Sequence, residues 1–379
     1  MAITVSAAGD TASYAYGPMP GTVLLDQFAG TTDDDKLTAA LQYAAAQTYI
    51  PTILLGGRSY TFAKTQPTFS GMKLSGPPQV GWQNNEISSG KFNTQRVTLN
   101  VGNGANSWLV GSSTNYDGYI GNLSFLAGNG SAQFFHHPLS AGTAYCWGWH
   151  SLDFLGFRSV FGAPTDKAAI TCSTASGSWN ILGGTDVQIN IGGSDNDFWT
   201  DGSCNIGPSG SGNAGGKYLV VFDGLSKTNV GGLYITADAG WRALHIIGTP
   251  SYGPHLTLNG LRLEGRNAGD PSYGSLVKVD GGATLFRDTW IGYAMQNPSM
   301  YTDAVDVASV HVRSGDAIFD GVVTDRATGV SQSAPIFRVE SGAGLEVEHV
   351  RTCSKGGAWT AKPVVSGAAT VDGSVLLTS

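Results

Sequence analysis

A short motif recurs through most of the chain, and it constrains the fold more than any other feature. Each copy places one small or polar residue before an apolar–x–apolar triplet. The clearest copies are Gly121–Phe125, His150–Phe154, Thr185–Ile189, Gly231–Ile235, Asn259–Leu263, Phe319–Val323 and Val371–Val375, with looser copies at Arg287–Ile291 and Glu346–Val350. A unit that recurs at intervals of about two to three dozen residues predicts a solenoid of stacked coils.

The intervals between copies are nearly regular. The first apolar residues Leu123, Leu152, Val187, Leu233 and Leu261 are 29, 35, 46 and 28 residues apart. We interpret the long interval as an insertion at Gly192–Lys217. A second alternating segment precedes many copies, at Leu219–Phe222, Ala243–Ile247, Leu276–Val279, Val310–Val312 and Ile336–Val339. Two parallel strands in each coil, with apolar residues inside, are therefore predicted. A β-sandwich or jelly roll is the alternative.

The stretch Gly30–Phe62 has the pattern of a capping helix followed by strands. Thr31-Thr32-Asp33-Asp34-Asp35 supplies oxygen acceptors and negative charge for a helix start. One apolar stripe follows, at Leu37, Ala40, Leu41 and Ala44. This spacing predicts a helix over Asp33–Gln47, with little helix elsewhere.

Short strands follow this helix at Thr52–Leu55 and Tyr60–Phe62, and the segment Ser70–Gly76 reads SG-x-x-L-x-G. The order resembles the N-terminal cap of the pectate-lyase-like superfamily. The resemblance implies an all-β, right-handed parallel β-helix with a short N-terminal capping helix. We divide the chain into an N-terminal arm (1–29) and a β-helix domain (30–379), with the cap and first strands at 30–76 and the stacked coils at 96–379.

Composition narrows the classes of function. Only 13% of residues are charged, 54 are glycine and the net charge is −7, which disfavours nucleic acid and anionic membranes as partners. No signal peptide or membrane-spanning stretch stands out, so we expect synthesis in a cytoplasm. Four separated cysteines, Cys146, Cys172, Cys204 and Cys353, lack metal-binding spacing and are expected to be buried free thiols.

Motifs for known chemistry are scarce. The active-site segments of polygalacturonase-like proteins do not occur in a strand context. The acidic loop Asp195-Asn196-Asp197 with Asp201 lacks the glycine and glutamate of an EF-hand. Gly215-Gly216-Lys217 is followed by Tyr218, where a phosphate-binding loop needs serine or threonine. We predict no metal site and no cofactor.

Paired carboxylates remain as candidates for glycoside hydrolysis. Aligning Leu233 with Leu261 places Thr236 beside Glu264, with Asp238 close to the same edge. We predict Glu264 and Asp238 as catalytic, and the predicted sugar-binding residues are Trp241, Arg242, Arg266 and Trp199. Ordinary turn formers and surface ion pairs are the alternative. Asp197 with Asp201 is a rival pair, and Asp153 is a third candidate that is expected to face solvent.

Tryptophans are frequent in the middle coils, and we assign them partly to the core and partly to a saccharide groove. They are Trp147, Trp149, Trp179, Trp199, Trp241 and Trp290.

The cap and coils together resemble phage tailspike and tail-fibre proteins. The resemblance implies a homotrimer on a virion, assembled in a bacterial cytoplasm, that binds and cleaves a bacterial surface polysaccharide. The arm 1–29 would contact other tail proteins or, equally, pack along the capping helix. A second subunit would bury the last coil, Ala369–Ser379. A non-catalytic receptor-binding or structural tail protein is the alternative function, followed by a secreted polysaccharide lyase.

Overall fold

The structure is a computed structural model, and it describes residues 21–77, 96–102, 107–127, 132–208, 217–237, 241–248, 256–265, 275–292, 309–325 and 337–353. Asp238, Arg266, residues 1–20 of the predicted arm and the last coil Ala369–Ser379 lie outside the described residues. The division into an arm and a β-helix domain therefore stays a prediction.

Parallel strands make up most of the described chain, and the pairings between them are parallel. The strands are Thr22–Leu24, Thr52–Leu54, Tyr60–Phe62, Gln66–Pro67, Lys73–Ser75, Val97–Val101, Leu109–Val110, Asn115–Tyr116, Tyr119–Ala127, Gln133–His136, Ala144–Tyr145, Gly148–Leu155, Ser159–Phe161, Ala168–Thr171, Thr174–Ser176, Asn180–Gly184, Ile189–Ser194, Asp197–Pro208, Tyr218–Ser226, Thr228–Ala237, Arg242–Ile247, Leu256–Asn259, Arg262–Gly265, Val277–Gly292, Val310–Asp325, Phe337–Val339 and Gly344–Cys353. The predicted right-handed parallel β-helix is confirmed.

The coils stack into three main sheets, which we call the first, second and third stacks in chain order within a coil. One apolar position continues along each. The ladder of the first stack runs through Ile53, Leu74, Ile120, Trp149, Ala175, Phe198, Val230, Leu258, Phe286, Phe319 and Val347. That of the second runs through Leu99, Phe125, Phe154, Ile181, Ile206, Ile235, Leu263 and Ile291. That of the third runs through Leu109, Phe135, Phe161, Ile189, Val220, Leu244, Val277, Val310 and Phe337.

Three details of the predicted repeat are wrong. A coil has three stacked strand segments rather than two. The segments of the first and second stacks often belong to one continuous bent strand, such as Thr228–Ala237. The supposed insertion Gly192–Lys217 contains the strand Asp197–Pro208, which pairs with both neighbouring coils. Thr185–Ile189 is not a true copy of the motif, since Ile189 belongs to the third stack.

The small or polar residue of the motif marks a corner between the first and second stacks. At this corner the backbone enters the left-handed region, which glycine and asparagine adopt most easily. The residues with positive φ there are Asn122, Ser151, Gly232, Gly260, Asp288, Gly321 and His349. The motif therefore records a turn that each of these coils needs between two buried apolar strands.

Aromatic side chains fill the interior of the middle coils. Phe125, Phe134 and Phe154 pack with ring centroids 4.7–5.2 Å apart. Trp147 and Trp149 stack at 5.1 Å. Of the six tryptophans noted in the sequence, four are buried in this core: Trp147, Trp149, Trp179 and Trp241.

The capping helix runs from Asp33 to Ala45, two residues shorter than predicted at its C-terminus. Thr32 Oγ1 accepts a hydrogen bond from the Asp35 amide at 3.1 Å, and Asp35 Oδ2 accepts one from the Thr32 amide at 3.2 Å. This reciprocal pair satisfies two free donors of the first turn. The predicted apolar stripe is buried, at Leu37, Ala40, Leu41 and Ala44. No helix of the described ranges is long and apolar enough to cross a membrane.

Asp26 links the helix to the first strands, and its ion pairs predict a dependence on pH. Hydrogen bonds from Arg58, then Tyr60 and Lys36, lower its pKa from 3.8 to about 2 against the opposing effect of burial. A carboxyl whose pKa is lowered in the folded protein stabilises the fold at pH values above its pKa in the unfolded chain. This contribution is lost as the pH falls through the pKa in the folded protein. Asp26→Asn should lower the free energy of unfolding at pH 7 by about 0.5–1 kcal/mol, a small value because the pair is exposed.

Thermal denaturation of both proteins between pH 7 and pH 2 checks this prediction. The difference in Tm should shrink as the pH falls from about 3.8 to about 2. An equal difference at both ends of the range would show that Asp26 does not act through its charge.

Candidate functional site

The outer face of the second stack carries the predicted catalytic residue Glu264, and we call the group Tyr234, Arg262, Glu264 and Trp290 the Glu264 site. Tyr234, Arg262 and Trp290 occupy one register position in three consecutive coils. Glu264 lies two residues beyond Arg262 and pairs with Thr236 on one side and Gly292 on the other. The predicted pairing of Thr236 with Glu264 is therefore confirmed.

The aromatic rings of this site enclose a cation. The guanidinium carbon of Arg262 lies 5.3 Å from the centroid of the Tyr234 ring and 5.4 Å from that of the Trp290 ring. Both distances are within the range of cation–π attraction. The Trp290 indole extends over Gly292, where a Cβ atom would clash with it. The indole therefore reaches the position beside Glu264 in the next coil.

Glu264 is 2% exposed, and its Oε2 accepts a hydrogen bond from the Tyr234 hydroxyl. Burying a carboxyl costs free energy unless it has partners, so such groups are kept where they are used or firmly paired. A carboxyl can transfer a proton to or from a bound sugar oxygen, and for the buried Glu264 this requires the side chains that cover it to move aside.

The other predicted site residues that the structure describes do not converge on Glu264. Trp241 and Arg242 lie at the start of a third-stack strand and are 4% and 1% exposed. Arg242 Nη1 donates to the Trp241 carbonyl at 3.1 Å. Both side chains are buried, so neither offers a surface to a sugar in this structure. Trp199 is 45% exposed and lies over Gly231 on the outer face of the first stack.

The expectation that Asp153 faces solvent is wrong, because its side chain is buried at 1% exposure. Asp153 Oδ2 lies 2.8 Å from Arg96 Nη1, an ion pair without a well-aligned hydrogen bond. Ser124 donates to the same oxygen at 3.0 Å, and Asn180 donates to Oδ1 at 2.7 Å. A carboxylate enclosed in this way is structural rather than available to a substrate.

The acidic loop with the rival pair Asp197 and Asp201 is partly described. Asp195 and Asp197 are exposed, and Asp195 lies 3.8 Å from Lys227. The side chain of Asp201 lies outside the described residues. Among described side chains, one other group has metal-binding residue types close together: the ligand atoms of Asp320, Glu348 and His349 lie within 4.8 Å of one another.

A second cluster, which the sequence analysis missed, covers the outer face of the third stack. We call Tyr218, His245, Lys278, Asp280 and Arg313 the basic surface. His245 Nε2 and Lys278 Nζ each lie 2.8 Å from Asp280 Oδ2, and Arg313 Nη1 lies 3.6 Å from Oδ1. The Tyr218 ring packs on the His245 ring with centroids 4.9 Å apart.

Burial tunes the protonation of this cluster. It lowers the pKa of His245, against the opposing hydrogen bond to Asp280, and it raises the pKa of Tyr218. Burial works to raise the pKa of Asp280, but hydrogen bonds from Lys278 and His245 lower it. His245 is therefore neutral at pH 7 and oriented by a carboxylate, which is the state that a general base needs.

The sequence does contain a signal for this surface. His245, Lys278, His311 and Arg338 each stand between two apolar residues and share one register position in four consecutive coils. These four polar residues occupy the same outward-facing position of the predicted second strands, and this shared position predicts that they lie side by side.

Similar proteins are found by comparison of structures and not by comparison of sequences. No protein-family model matches the sequence. A comparison with curated protein sequences finds no match.

The structure is similar to an alginate lyase from Paenibacillus sp., with 13% identity, a TM-score of 0.44 and coverage of 92% of this chain and 98% of that one. It is similar to a tailspike protein of Acinetobacter baumannii bacteriophage Fri1, a capsular polysaccharide depolymerase, with 9% identity, a TM-score of 0.42 and coverage of 93% and 64%. The catalytic domain of a GH87 alpha-1,3-glucanase is similar at 12% identity and a TM-score of 0.37, with 89% of this chain and 56% of that chain covered.

Proposed function

We propose that this protein binds and cleaves a bacterial surface polysaccharide at the Glu264 site, in the manner of a phage tailspike. The observation that carries the proposal is the buried Glu264 carboxyl, hydrogen-bonded by Tyr234 next to the Arg262 guanidinium. In this proposal Glu264 is the proton donor, and the aromatic and cationic side chains of the same site suit a sugar ring with acidic substituents.

In this proposal Glu264 acts as the general acid of a glycoside hydrolase. It protonates the glycosidic oxygen while the bond to the anomeric carbon breaks, and a second carboxylate activates water or attacks that carbon. Asp238 is the predicted second carboxylate, and its assignment rests on the sequence alone. Tyr234 holds the Glu264 carboxyl in place, and Trp290 lines the sugar position one coil away.

The basic surface supports a second candidate chemistry, β-elimination from a uronic-acid polymer. The specific observation is the His245 ring hydrogen-bonded to Asp280, with Lys278 and Arg313 beside the same carboxylate. Cations neutralise the uronate carboxyl and acidify the proton at C5, which a neutral base such as His245 then removes. The leaving sugar oxygen takes a proton from a second acid. Tyr218 is the nearby phenol, and it must release its hydrogen bond to the Ser275 carbonyl, at 3.1 Å, to donate to the sugar.

Assembly is part of the same proposal and rests on the resemblance given by the sequence. It comprises a homotrimer, a place on the virion, and contacts to other tail proteins through the arm 1–29. A receptor-binding protein without catalysis is the alternative, in which the same aromatic and cationic faces bind the glycan and leave it intact.

A panel of purified bacterial surface polysaccharides tests the proposal. We would follow polymer length together with absorbance at the unsaturated-uronate band. Shortening without new absorbance is the expected result for the Glu264 site. Shortening with new absorbance would transfer the chemistry to the basic surface. Binding without any shortening would overturn cleavage and leave the receptor-binding alternative.

If new absorbance accompanies shortening, His245→Gln should lower kcat by about 10²- to 10⁴-fold, because the base is removed. His311→Gln is the matched control. His311 occupies the same register position as His245, two coils further on, and it is hydrogen-bonded to Glu340. Initial rates of absorbance change measure both variants. Equal losses in the two variants would show that His245 has no special role.

A further inference from the structure

The corner that precedes the first stack carries two cysteines in consecutive coils. Residues with positive φ continue along this corner at Asp117, Cys146, Cys172, Asp195 and Lys227, with φ between 45° and 58°. The Cys146 amide donates to the Thr171 carbonyl at 3.0 Å, and the Cys172 amide donates to the Ser194 carbonyl at 2.9 Å. Each cysteine therefore makes the same backbone contact to the coil that follows it.

Pairing on both sides fixes the two cysteines at one register position. Tyr145 pairs with Thr171 immediately before them, and Gly148 pairs with Thr174 two residues after. Paired residues of neighbouring parallel strands lie about 4.8 Å apart, inside the Cα separation of about 4.4–6.8 Å that a disulfide spans. With φ of 57° and 53°, their side chains leave the corner in the same direction.

Both thiols are free and exposed in this structure, so the expectation that they are buried is wrong for this pair. We propose that Cys146 and Cys172 form a disulfide between consecutive coils when the protein meets a small disulfide such as oxidised glutathione. One cysteine thiolate attacks the glutathione disulfide and releases one glutathione. The second thiolate attacks the resulting mixed disulfide and releases the other glutathione. Two protein thiols are oxidised, and one glutathione disulfide is reduced to two thiols.

The surroundings favour reaction within the pair once the first step has occurred. The second thiol stands one coil away, whereas a new glutathione must approach a corner flanked by the carboxylates of Asp117 and Asp195. Burial, then Cys172 and Asp117, raise the pKa of the Cys146 thiol. The thiolate is the nucleophile, so the reaction should run faster at mildly alkaline pH.

Peptide mapping tests the proposal. Cys146 lies in the tryptic peptide 97–158, but Cys172 and Cys204 share the peptide 168–217. The experiment therefore uses the full chain with Cys204→Ser. The folded protein is incubated with oxidised glutathione at about pH 8.5, its remaining thiols are alkylated, and it is digested without reductant. We expect the two peptides joined, with a mass two hydrogens below their sum.

Thermal denaturation adds an independent readout. The oxidised protein should have a Tm about 2–5 °C higher, because the crosslink restricts the unfolded chain, and dithiothreitol should reverse the shift. Cys172→Ser is the control and should give neither the joined peptides nor the shift. Three results would overturn the proposal: glutathione on both cysteines, a link between two chains, or two thiols still open to alkylation.

Discussion

Replacing Glu264 by glutamine is expected to lower the rate of polysaccharide cleavage by about 10²- to 10⁴-fold. Glutamine keeps the size of the side chain and an oxygen that can accept the Tyr234 hydrogen bond. It cannot donate an acidic proton to a glycosidic oxygen. The loss should therefore appear in kcat, while polysaccharide binding and the circular-dichroism spectrum stay as in the parent protein. Release of reducing ends from the polymer that the panel identifies measures the effect.

Glu346→Gln is the matched control, because Glu346 is an exposed glutamate on the outer side of a later coil. It should cleave at the parent rate. Tyr234→Phe keeps the ring that faces Arg262 and removes the hydroxyl, so it should shift the pH profile of cleavage through the altered position of Glu264. If Glu264→Gln keeps full turnover, the Glu264 site is not the catalytic centre.

Asp153→Ala is expected to have the largest effect on stability, about 3–5 kcal/mol in the free energy of unfolding. The substitution leaves the buried Arg96 guanidinium without its carboxylate, and it removes the acceptor for Ser124 and Asn180. A buried charge without a partner retains the cost of desolvation without the compensating attraction. Urea denaturation followed by tryptophan fluorescence measures the change.

Asp197→Ala provides the comparison, because Asp197 is an exposed aspartate two coils further on and should change stability by less than about 0.5 kcal/mol. A double variant, Arg96→Met with Asp153→Leu, separates the charge from the packing. Removing both charges should recover most of the lost stability. Equal stability of the parent protein and Asp153→Ala would mean that the ion pair contributes nothing.

Much of the fold could be predicted because the corner turn leaves a mark in the sequence. A left-handed residue such as Asn122 or Gly260 must be small or polar, and buried strands follow it. The first stack could not be separated from the second, because its strand runs into the corner without a break, as in Thr228–Ala237. The supposed insertion was an error of spacing, since coils from Ile120 onward vary between 23 and 33 residues.

The site was predicted only in part. Glu264 could be placed because the interval from Leu233 to Leu261 contains one regular coil, so the register follows from counting. Trp241 and Arg242 lie near that edge in sequence, but both side chains are buried at the start of a third-stack strand, which counting alone does not reveal. The basic surface depends on side chains from four consecutive coils, and its members stand far apart in sequence.

The Arg96–Asp153 pair has a mechanical consequence. A solenoid pulled from its ends can release its coils one after another, because each coil contacts only its neighbours. Arg96 precedes the strand of one coil, yet it contacts Asp153 two coils further on and Ser178, at 2.7 Å from Nη2, in the coil after that. A pulling force that reaches this region must break these contacts together, so we expect the four coils to yield in a single step of extension rather than in separate small ones.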